Sequence, residues 1–201
     1  MTATLELARK EPTLPAMPAT FIGIDQSLRS PGFAVIGADG PQSLFLEAAK
    51  TGSRRGAERL AFIRNTLAHL LERYRPLYAA LEGYSIESQN RPFDLGEVGG
   101  AVRLCLYDHG VPFVVVPPTS LKKFVTGNGQ AKKDKVQEVI KQIWGLEIPQ
   151  DDESDAYGLS HVARAFYLKT STRRCELEVL KTLTQEREAP LVSRGRTKVS
   201  I

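Results

Sequence analysis

The stretch FIGIDQSLRSPGFAVI, residues 21–36, decides the fold of this chain. It holds two short apolar runs, separated by a polar break that ends in Pro31 and Gly32. Proline fixes φ and glycine tolerates positive φ, so this pair is typical of a turn between adjacent strands. A third apolar run after Asp39 extends the pattern to a meander. The predicted strands are residues 21–25, 33–38 and 43–49.

Downstream of the meander, apolar residues recur at three- and four-residue spacing, which is the period of an amphipathic helix. Shorter apolar runs bounded by proline and glycine predict strands between these helices. The resulting order, βββαβαβαα, is typical of an α/β fold built on one sheet. The predicted helices are residues 54–74, 94–109, 132–144 and 152–168, the further strands are 77–83 and 112–116, and residues from 171 begin with helical spacing of leucines.

Length and composition exclude several classes of protein. The chain has 201 residues, 42% hydrophobic and 25% charged, which is typical of one globular domain. It has two cysteines without a CxxC motif and three histidines, which excludes a disulfide scaffold and a zinc finger. We expect no membrane partner, because no apolar run approaches the roughly 20 residues of a membrane span. The first residues lack the apolar core of a secretory signal, so we expect a cytoplasmic protein.

The net charge of +4 is small, but its distribution is uneven. Between Thr119 and Lys141 there are six lysines and two acids, and from Ser171 to the end there are seven basic and four acidic residues. A basic stretch is usually a solvated face, and it is also the footprint of a nucleic-acid surface. Charge alone favours the solvated face.

Four acids stand at the ends of predicted elements. Asp25 ends the first strand, Glu82 ends the fourth, and Asp152 and Asp155 open a helix three residues apart, on one face. A carboxylate at the end of a buried strand is costly unless it is paired or bound to a cation. The carboxyl edge of an α/β sheet is where binding sites lie, so we expect the four to converge there.

Each acid also has a purely structural explanation. Asp25 could cap the turn that follows it, and Glu82 could pair with Arg91 or Arg103. Asp152 could be the N-cap of the helix, with Asp155 completing a capping box.

Together, however, four converging carboxylates repel one another, and a hard divalent cation is the natural neutraliser. An oxygen-only donor set favours Mg²⁺ or Mn²⁺ over zinc. Two such ions about 3.5–4 Å apart activate a water and stabilise the leaving oxygen in phosphodiester hydrolysis.

The segment GIDQSLRSPGFAVI, which begins at Gly23, resembles the first-strand motif of RuvC-type Holliday-junction resolvases, within the RNase H-like superfamily. Four more motifs follow in the family's order across residues 20–168: LEG with Glu82, LGEVGGAV, TGNGQAKKDKV, and the DxxDA that begins at Asp152. The resemblance implies an α/β fold with an RNase H-like mixed five-stranded sheet flanked by helices. It implies a divalent-metal-dependent, structure-selective DNA endonuclease that hydrolyses Holliday junctions or other branched DNA, in a bacterial cell or a phage-infected host.

The resemblance also assigns roles to residues. Asp25, Glu82, Asp152 and Asp155 match the family's metal-binding catalytic acids, with Asp25 expected to bridge two Mg²⁺ or Mn²⁺ ions. Lys122 and Lys133 match basic residues that the family uses near the scissile phosphate, and Lys133 joins the acids as a catalytic residue. The expected DNA-binding residues are Lys122, Lys123, Lys132, Lys133, Tyr84 and Arg29.

The chain departs from the family pattern in the extension 171–201, of which cellular members lack an evident equivalent, and at two places within the domain. Gln26 and Ser27 replace the Pro-Gly often found after the first acid, which could alter the turn but not the ligand. Ser85 stands where some members place a stacking aromatic, and the adjacent Tyr84 could substitute for it. These departures resemble phage members of the family, which can be broader branch-cutting nucleases.

The expected organisation is an N-terminal arm (1–19), an RNase H-like nuclease domain (20–170) and a basic C-terminal extension (171–201). We expect a homodimer, because two symmetry-related sites would nick two strands of a four-way junction. The helix at 94–109 is the candidate interface, and its glycines Gly96, Gly99 and Gly100 lack the GK[ST] of a phosphate loop and suggest close helix packing.

Two more side chains are assigned to structure rather than chemistry. His161 lies about 240° around the helix from Asp155, so it is not expected to be a ligand. Cys105, on an apolar helix, is expected to be a small buried hydrophobe.

Two other functions stay open at this point. One is an RNA-directed nuclease on the same fold. The other is a non-catalytic junction-binding protein, in which the acids only stabilise the structure.

Overall fold

The computed structural model describes residues 19–84 and 92–185. Outside the described residues lie the predicted arm up to residue 18, Ser85, Arg91 and the part of the predicted extension beyond residue 185. The described part contains five strands and six helices. They are β1 Thr20–Asp25, β2 Gly32–Gly37, β3 Ser43–Ala48, α1 Gly56–Tyr74, β4 Tyr78–Glu82, α2 Pro92–Asp108, β5 Phe113–Val116, α3 Pro118–Thr126, α4 Lys133–Trp144, α5 Asp151–Leu168 and α6 Arg174–Gln185.

The strands form one mixed sheet with the order β3-β2-β1-β4-β5. β1, β2 and β3 pair antiparallel as the predicted meander, whereas β4 and β5 join parallel to β1 and to each other. The prediction of a mixed five-stranded sheet flanked by helices is therefore confirmed. Parallel strands need a long crossover connection, which is usually a helix. Here α1 precedes β4 in the chain, and α2 connects β4 to β5.

Alternation along each strand divides the core into two layers. In β1, Ile22 and Ile24 pack with α1 and α2, where Ile63 and Leu67 are fully buried. Phe21 points to the opposite layer, which is built by α3, α4, α5 and α6. Both faces of the sheet are covered, so β1 is buried along its whole length.

Helix α3 was not predicted, and this is the main difference from the sequence-based elements. Pro117-Pro118 indicates the end of a strand, but proline also suits the first turn of a helix because its missing N–H is not needed there. Phe124 and Val125 are buried on one side of α3, which packs toward α4, α5 and α6. The helix therefore carries Lys122 and Lys123, two of the lysines in the basic stretch between Thr119 and Lys141.

Helix α6 is the first part of the predicted C-terminal extension, and it packs on the domain. Val179 and Leu183 are buried in the same layer as α3 and α5. The guanidinium of Arg173 donates to the carbonyl oxygens of Phe124 and Val125, at 3.4 and 2.8 Å. The extension therefore braces the C-terminal end of α3.

The backbone of helix α5 packs directly against the backbone of β1 and β2, because two glycines there have no side chain in the way. A Cβ on Gly23 would overlap the carbonyl oxygen of Ala156 and the amide nitrogen of Ser160. A Cβ on Gly32, which pairs with Asp25 across β1 and β2, would overlap the carbonyl oxygen of Asp152. The start of α5 is thereby fixed against the end of β1.

Within residues 19–84 and 92–185, none of the helices is long and apolar enough to cross a membrane.

We predict that Gly23→Ala lowers the free energy of unfolding by about 3 kcal/mol, because the added methyl meets backbone that cannot rotate away. Gly37→Ala is the matched control, since a Cβ on this other strand glycine meets nothing within 4 Å. Urea unfolding of both variants checks the difference. A Gly23→Ala protein as stable as Gly37→Ala would contradict the close approach of α5.

Candidate active site: a carboxylate cluster at the edge of the sheet

Two of the predicted acids meet because β1 and β4 are neighbouring parallel strands. Ile24 pairs with Leu81, so the residues that follow, Asp25 and Glu82, are adjacent at the carboxyl edge. Both lie on the face that α5 covers, because Ile24 and Leu81 pack into the opposite layer. The order of the strands thus places two carboxylates side by side under α5.

Helix α5 brings the other two acids to the same place. Asp152 and Asp155 lie in its first two turns, and the contact of Gly32 with the Asp152 backbone holds this end of the helix over β1. The charges of Glu82, Asp155 and Asp152 all act on the Asp25 carboxyl. The structure therefore brings together the four acids that the sequence predicts.

Asp25 is the most enclosed of the four, with 5% of its surface exposed. Burial raises the pKa of Asp25 well above its usual range, and the Glu82 charge raises it further. A hydrogen bond between the two side chains raises the pKa of Asp25 further and lowers that of Glu82. Burial still leaves the pKa of Glu82 above its ordinary value.

Asp155 shows the same electrostatic stress. Burial and the Glu82 charge raise the pKa of Asp155 to about 7, against the opposing effect of Lys133 and Lys122. Such a carboxyl is half protonated near neutral pH, whereas an ordinary aspartate is fully ionised. The two lysines therefore do not fully offset the negative charge of the cluster.

The chemistry of this donor set fits a divalent cation. All donors are carboxylate oxygens, which Mg²⁺ and Mn²⁺ prefer, and a cation would relieve the repulsion that otherwise favours protonation. Among residues 19–84 and 92–185, no group of three or more Asp, Glu, His or Cys side chains is arranged as a formed metal site.

Gln26 is a member of the site that sequence reasoning did not assign. Its Nε2 donates to the carbonyl oxygen of Glu82 at 2.5 Å, so the side chain ties the end of β1 to the end of β4. Gln26 is 8% exposed, which is unusual for a residue that follows a strand. The only signal in the sequence was that glutamine stands where the family often has proline.

The predicted basic residues divide into two groups. Lys133 and Lys122 lie close enough to the acids to lower the pKa of Glu82 and of Asp155. Lys123 instead forms a 2.9 Å ion pair with Glu178 on α6. Lys132 is exposed immediately before α4, at the end of the loop that follows α3 at residue 127.

Tyr84 lies two residues beyond Glu82 and is 44% exposed. The Nη1 of Arg103 donates to its hydroxyl oxygen at 2.8 Å, and the guanidinium lies 5.3 Å from the ring centroid. A Cβ on Gly99 would overlap this hydroxyl, so Gly99 makes room for Tyr84 within the chain. The other predicted DNA contact, Arg29, is exposed in the turn between β1 and β2.

Three sequence-based readings of nearby residues can be settled. The N-cap of α5 is Gln150, so the capping explanation of Asp152 is wrong. His161, which was not expected to be a ligand, is a core residue: it is buried and stacks on Trp144, with ring centroids 3.7 Å apart and an interplanar angle of 7°. Cys105 is also buried, as predicted.

The chain is similar to a well-defined family of nucleases. The family model described as crossover junction endodeoxyribonuclease RuvC matches residues 21–162. A crossover junction endodeoxyribonuclease RuvC from Polynucleobacter necessarius is 33% identical over 142 residues, covering 70% of this chain and 84% of the relative.

Solved structures agree with the sequence match. The structure of Thermus thermophilus RuvC is 27% identical with a TM-score of 0.66, covering 75% of this chain and 97% of the other. A second structure, of T. thermophilus RuvC in complex with a Holliday junction substrate, is 28% identical with a TM-score of 0.64, covering 71% and 90%. The predicted RNase H-like fold is confirmed by this likeness.

The raised pKa of Asp155 predicts how stability depends on pH without metal. The folded state holds a proton up to about pH 7 that the unfolded state releases near 3.8, so the free energy of unfolding falls as pH rises through this window. We expect Asp155→Asn to be more stable than the parent by about 2 kcal/mol at pH 8, allowing for partial solvent screening, and nearly equal at pH 4.

Urea unfolding in the presence of EDTA at both pH values measures this difference. Asp134→Asn, which alters an exposed acid on α4, is the control and should change little at either pH. A destabilised Asp155→Asn protein at pH 8 would contradict the electrostatic account.

Proposed function

The chain belongs to the RuvC family of crossover junction endodeoxyribonucleases, and from this we propose that it is a divalent-metal-dependent, structure-selective endonuclease that hydrolyses Holliday junctions or other branched DNA. The observation that carries the proposal is the cluster of Asp25, Glu82, Asp152 and Asp155 under the start of α5. Because the relatives include bacterial proteins, the proposed place of action is the cytoplasm of a bacterium or of a phage-infected host.

In this proposal the four acids hold Mg²⁺ or Mn²⁺. When bound, the ions activate a water and stabilise the leaving oxygen of the phosphodiester. Asp25 is the central ligand, since it is the most buried of the four and feels the charges of the other three. Gln26 supports the site by keeping the Asp25 and Glu82 strand ends together.

The basic residues act on the DNA. The ammonium groups of Lys133 and Lys122, already within electrostatic reach of the acids, stabilise the charge that develops on the scissile phosphate. The proposed phosphate and base contacts are Lys122, Lys123, Lys132, Lys133 and Arg29 for the backbone and Tyr84 for stacking on a base. The 44% exposure of Tyr84 supports that last role.

The proposed assembly is a homodimer through α2. This helix exposes Phe93, Leu104 and Tyr107, at 87%, 63% and 72%, although large apolar side chains are normally buried. A Cβ on Gly96 or Gly100 would meet nothing within 4 Å, so these glycines leave open space on α2 for a second copy. An isologous dimer presents two sites, one to each of the two junction strands that are cut.

The alternatives differ in substrate or in chemistry. An RNA-directed nuclease of the same fold would prefer an RNA hairpin to a DNA junction, and a non-catalytic junction-binding protein would bind without cutting. Cleavage of a four-way DNA junction, a DNA flap and an RNA hairpin, each with Mg²⁺ and with Mn²⁺, separates these functions. Metal-dependent nicking of the junction supports the proposal.

We predict that Asp25→Asn abolishes nicking while junction binding remains, because the substitution removes a ligand charge without removing the basic residues. A gel shift of the junction in EDTA and a nicking assay in Mg²⁺ measure the two properties separately. Asp39→Asn, in the turn between β2 and β3, is the matched control and should nick at the parent rate. Nicking by Asp25→Asn at the parent rate would overturn the assignment.

A further inference from the structure

Asp151, the first residue of α5, uses both oxygens of its carboxylate. Oδ2 accepts a hydrogen bond from Nζ of Lys133 at 2.9 Å, and Oδ1 accepts one from Nε2 of Gln137 at 3.1 Å. The same Gln137 amide group also donates to the carbonyl oxygen of Pro149 at 3.3 Å. The carboxylate is therefore held on both sides and cannot rotate without losing a bond.

These contacts form a bracket between α4 and α5, which we call the Asp151 bracket (Asp151, Lys133 and Gln137). Lys133 and Gln137 lie four residues apart on α4, so they project from the same face on successive turns. The bracket joins this face to the residue immediately before Asp152. It thus links the catalytic lysine to the helix that carries two of the acids.

The Lys133 side chain needs such a restraint. Its side chain is 67% exposed, and a free lysine of that kind samples many rotamers, which costs entropy each time it must adopt one. In the bracket the ammonium is fixed where it also interacts with the charges of Asp155 and Asp152. The ammonium of Lys133 nevertheless donates its hydrogen bond to Asp151. It therefore does not occupy the carboxylate oxygens of the four clustered acids, which stay available to a cation.

We propose that Asp151 is a positioning residue for DNA cleavage, which holds the Lys133 ammonium beside the acid cluster where the scissile phosphate arrives. This inference rests on the proposed function. It gives the neighbouring aspartates different roles: Asp152 belongs to the metal-binding acids, whereas Asp151 acts only through Lys133. Preorganised charge of this kind accelerates a reaction because it does not have to be oriented during the step.

A simple surface ion pair would make different predictions. Exposed pairs contribute little to the free energy of unfolding, so stability does not distinguish the two roles. A positioning role affects the cleavage rate, and only as long as Lys133 is present. The test therefore combines substitutions at both residues.

The experiment measures single-turnover nicking of a four-way junction in Mg²⁺, with protein in excess. We expect Asp151→Asn to lower the rate about 10-fold and Asp151→Glu to recover part of that loss. Asp134→Asn is the control for net charge, because Asp134 is an exposed acid adjacent to Lys133 in sequence. It should leave the rate within about twofold of the parent, and the two Asn variants should bind the junction with similar Kd.

Asp151→Asn and Asp134→Asn are then each made in a Lys133→Gln background. Asp151→Asn should have no further effect there, because the residue through which it acts is absent. The inference is overturned if Asp151→Asn cleaves as fast as Asp134→Asn or faster, if it lowers the rate equally in both backgrounds, or if Lys133→Gln cleaves at the parent rate. A parent protein that shows no metal-dependent nicking would instead overturn the proposed function, and this inference with it.

Discussion

The contact on which the rest of the structure depends is the backbone approach of α5 to β1 and β2. Gly23 and Gly32 have no Cβ, and the carbonyl oxygens of Ala156 and Asp152 occupy the space that a side chain would need. This packing sets the start of α5 over the carboxyl edge of the sheet. Without it, the two acids of the helix and the two acids of the strands would belong to separate parts of the surface.

The packing has an electrostatic consequence, because it brings four carboxylates together at a site that is partly shielded from solvent. Their mutual repulsion and their burial favour protonation of Asp25 and raise the pKa of Asp155. The free energy that favours these protons is the same free energy that favours a divalent cation. Lys133 and Lys122 offset part of the negative charge of the four acids. Because the acidic site and the basic residues cancel in the sum, the net charge of the chain is only +4.

Much of this could be predicted from sequence, because strand-end acids and apolar periodicity are local patterns. The structure has the predicted meander, and it has Asp25 and Glu82 at strand ends and the Asp152–Asp155 pair at the start of a helix, as predicted. What could not be predicted depends on contacts between distant segments. Gly23 looks like any strand glycine, α3 begins at a proline pair that also ends β5, and three adjacent acids cannot be told apart until Asp151 is seen to bind Lys133.

The most direct test of the account is to locate manganese in a crystal of the protein. Anomalous difference density from crystals grown with Mn²⁺ reports the position of the ion independently of activity. The account predicts a peak at the carboxyl edge of the sheet, within coordination distance of Asp25, and its loss in the Asp25→Asn variant. Density only at exposed surface acids, with Asp25 and Glu82 still hydrogen-bonded to each other, would contradict it.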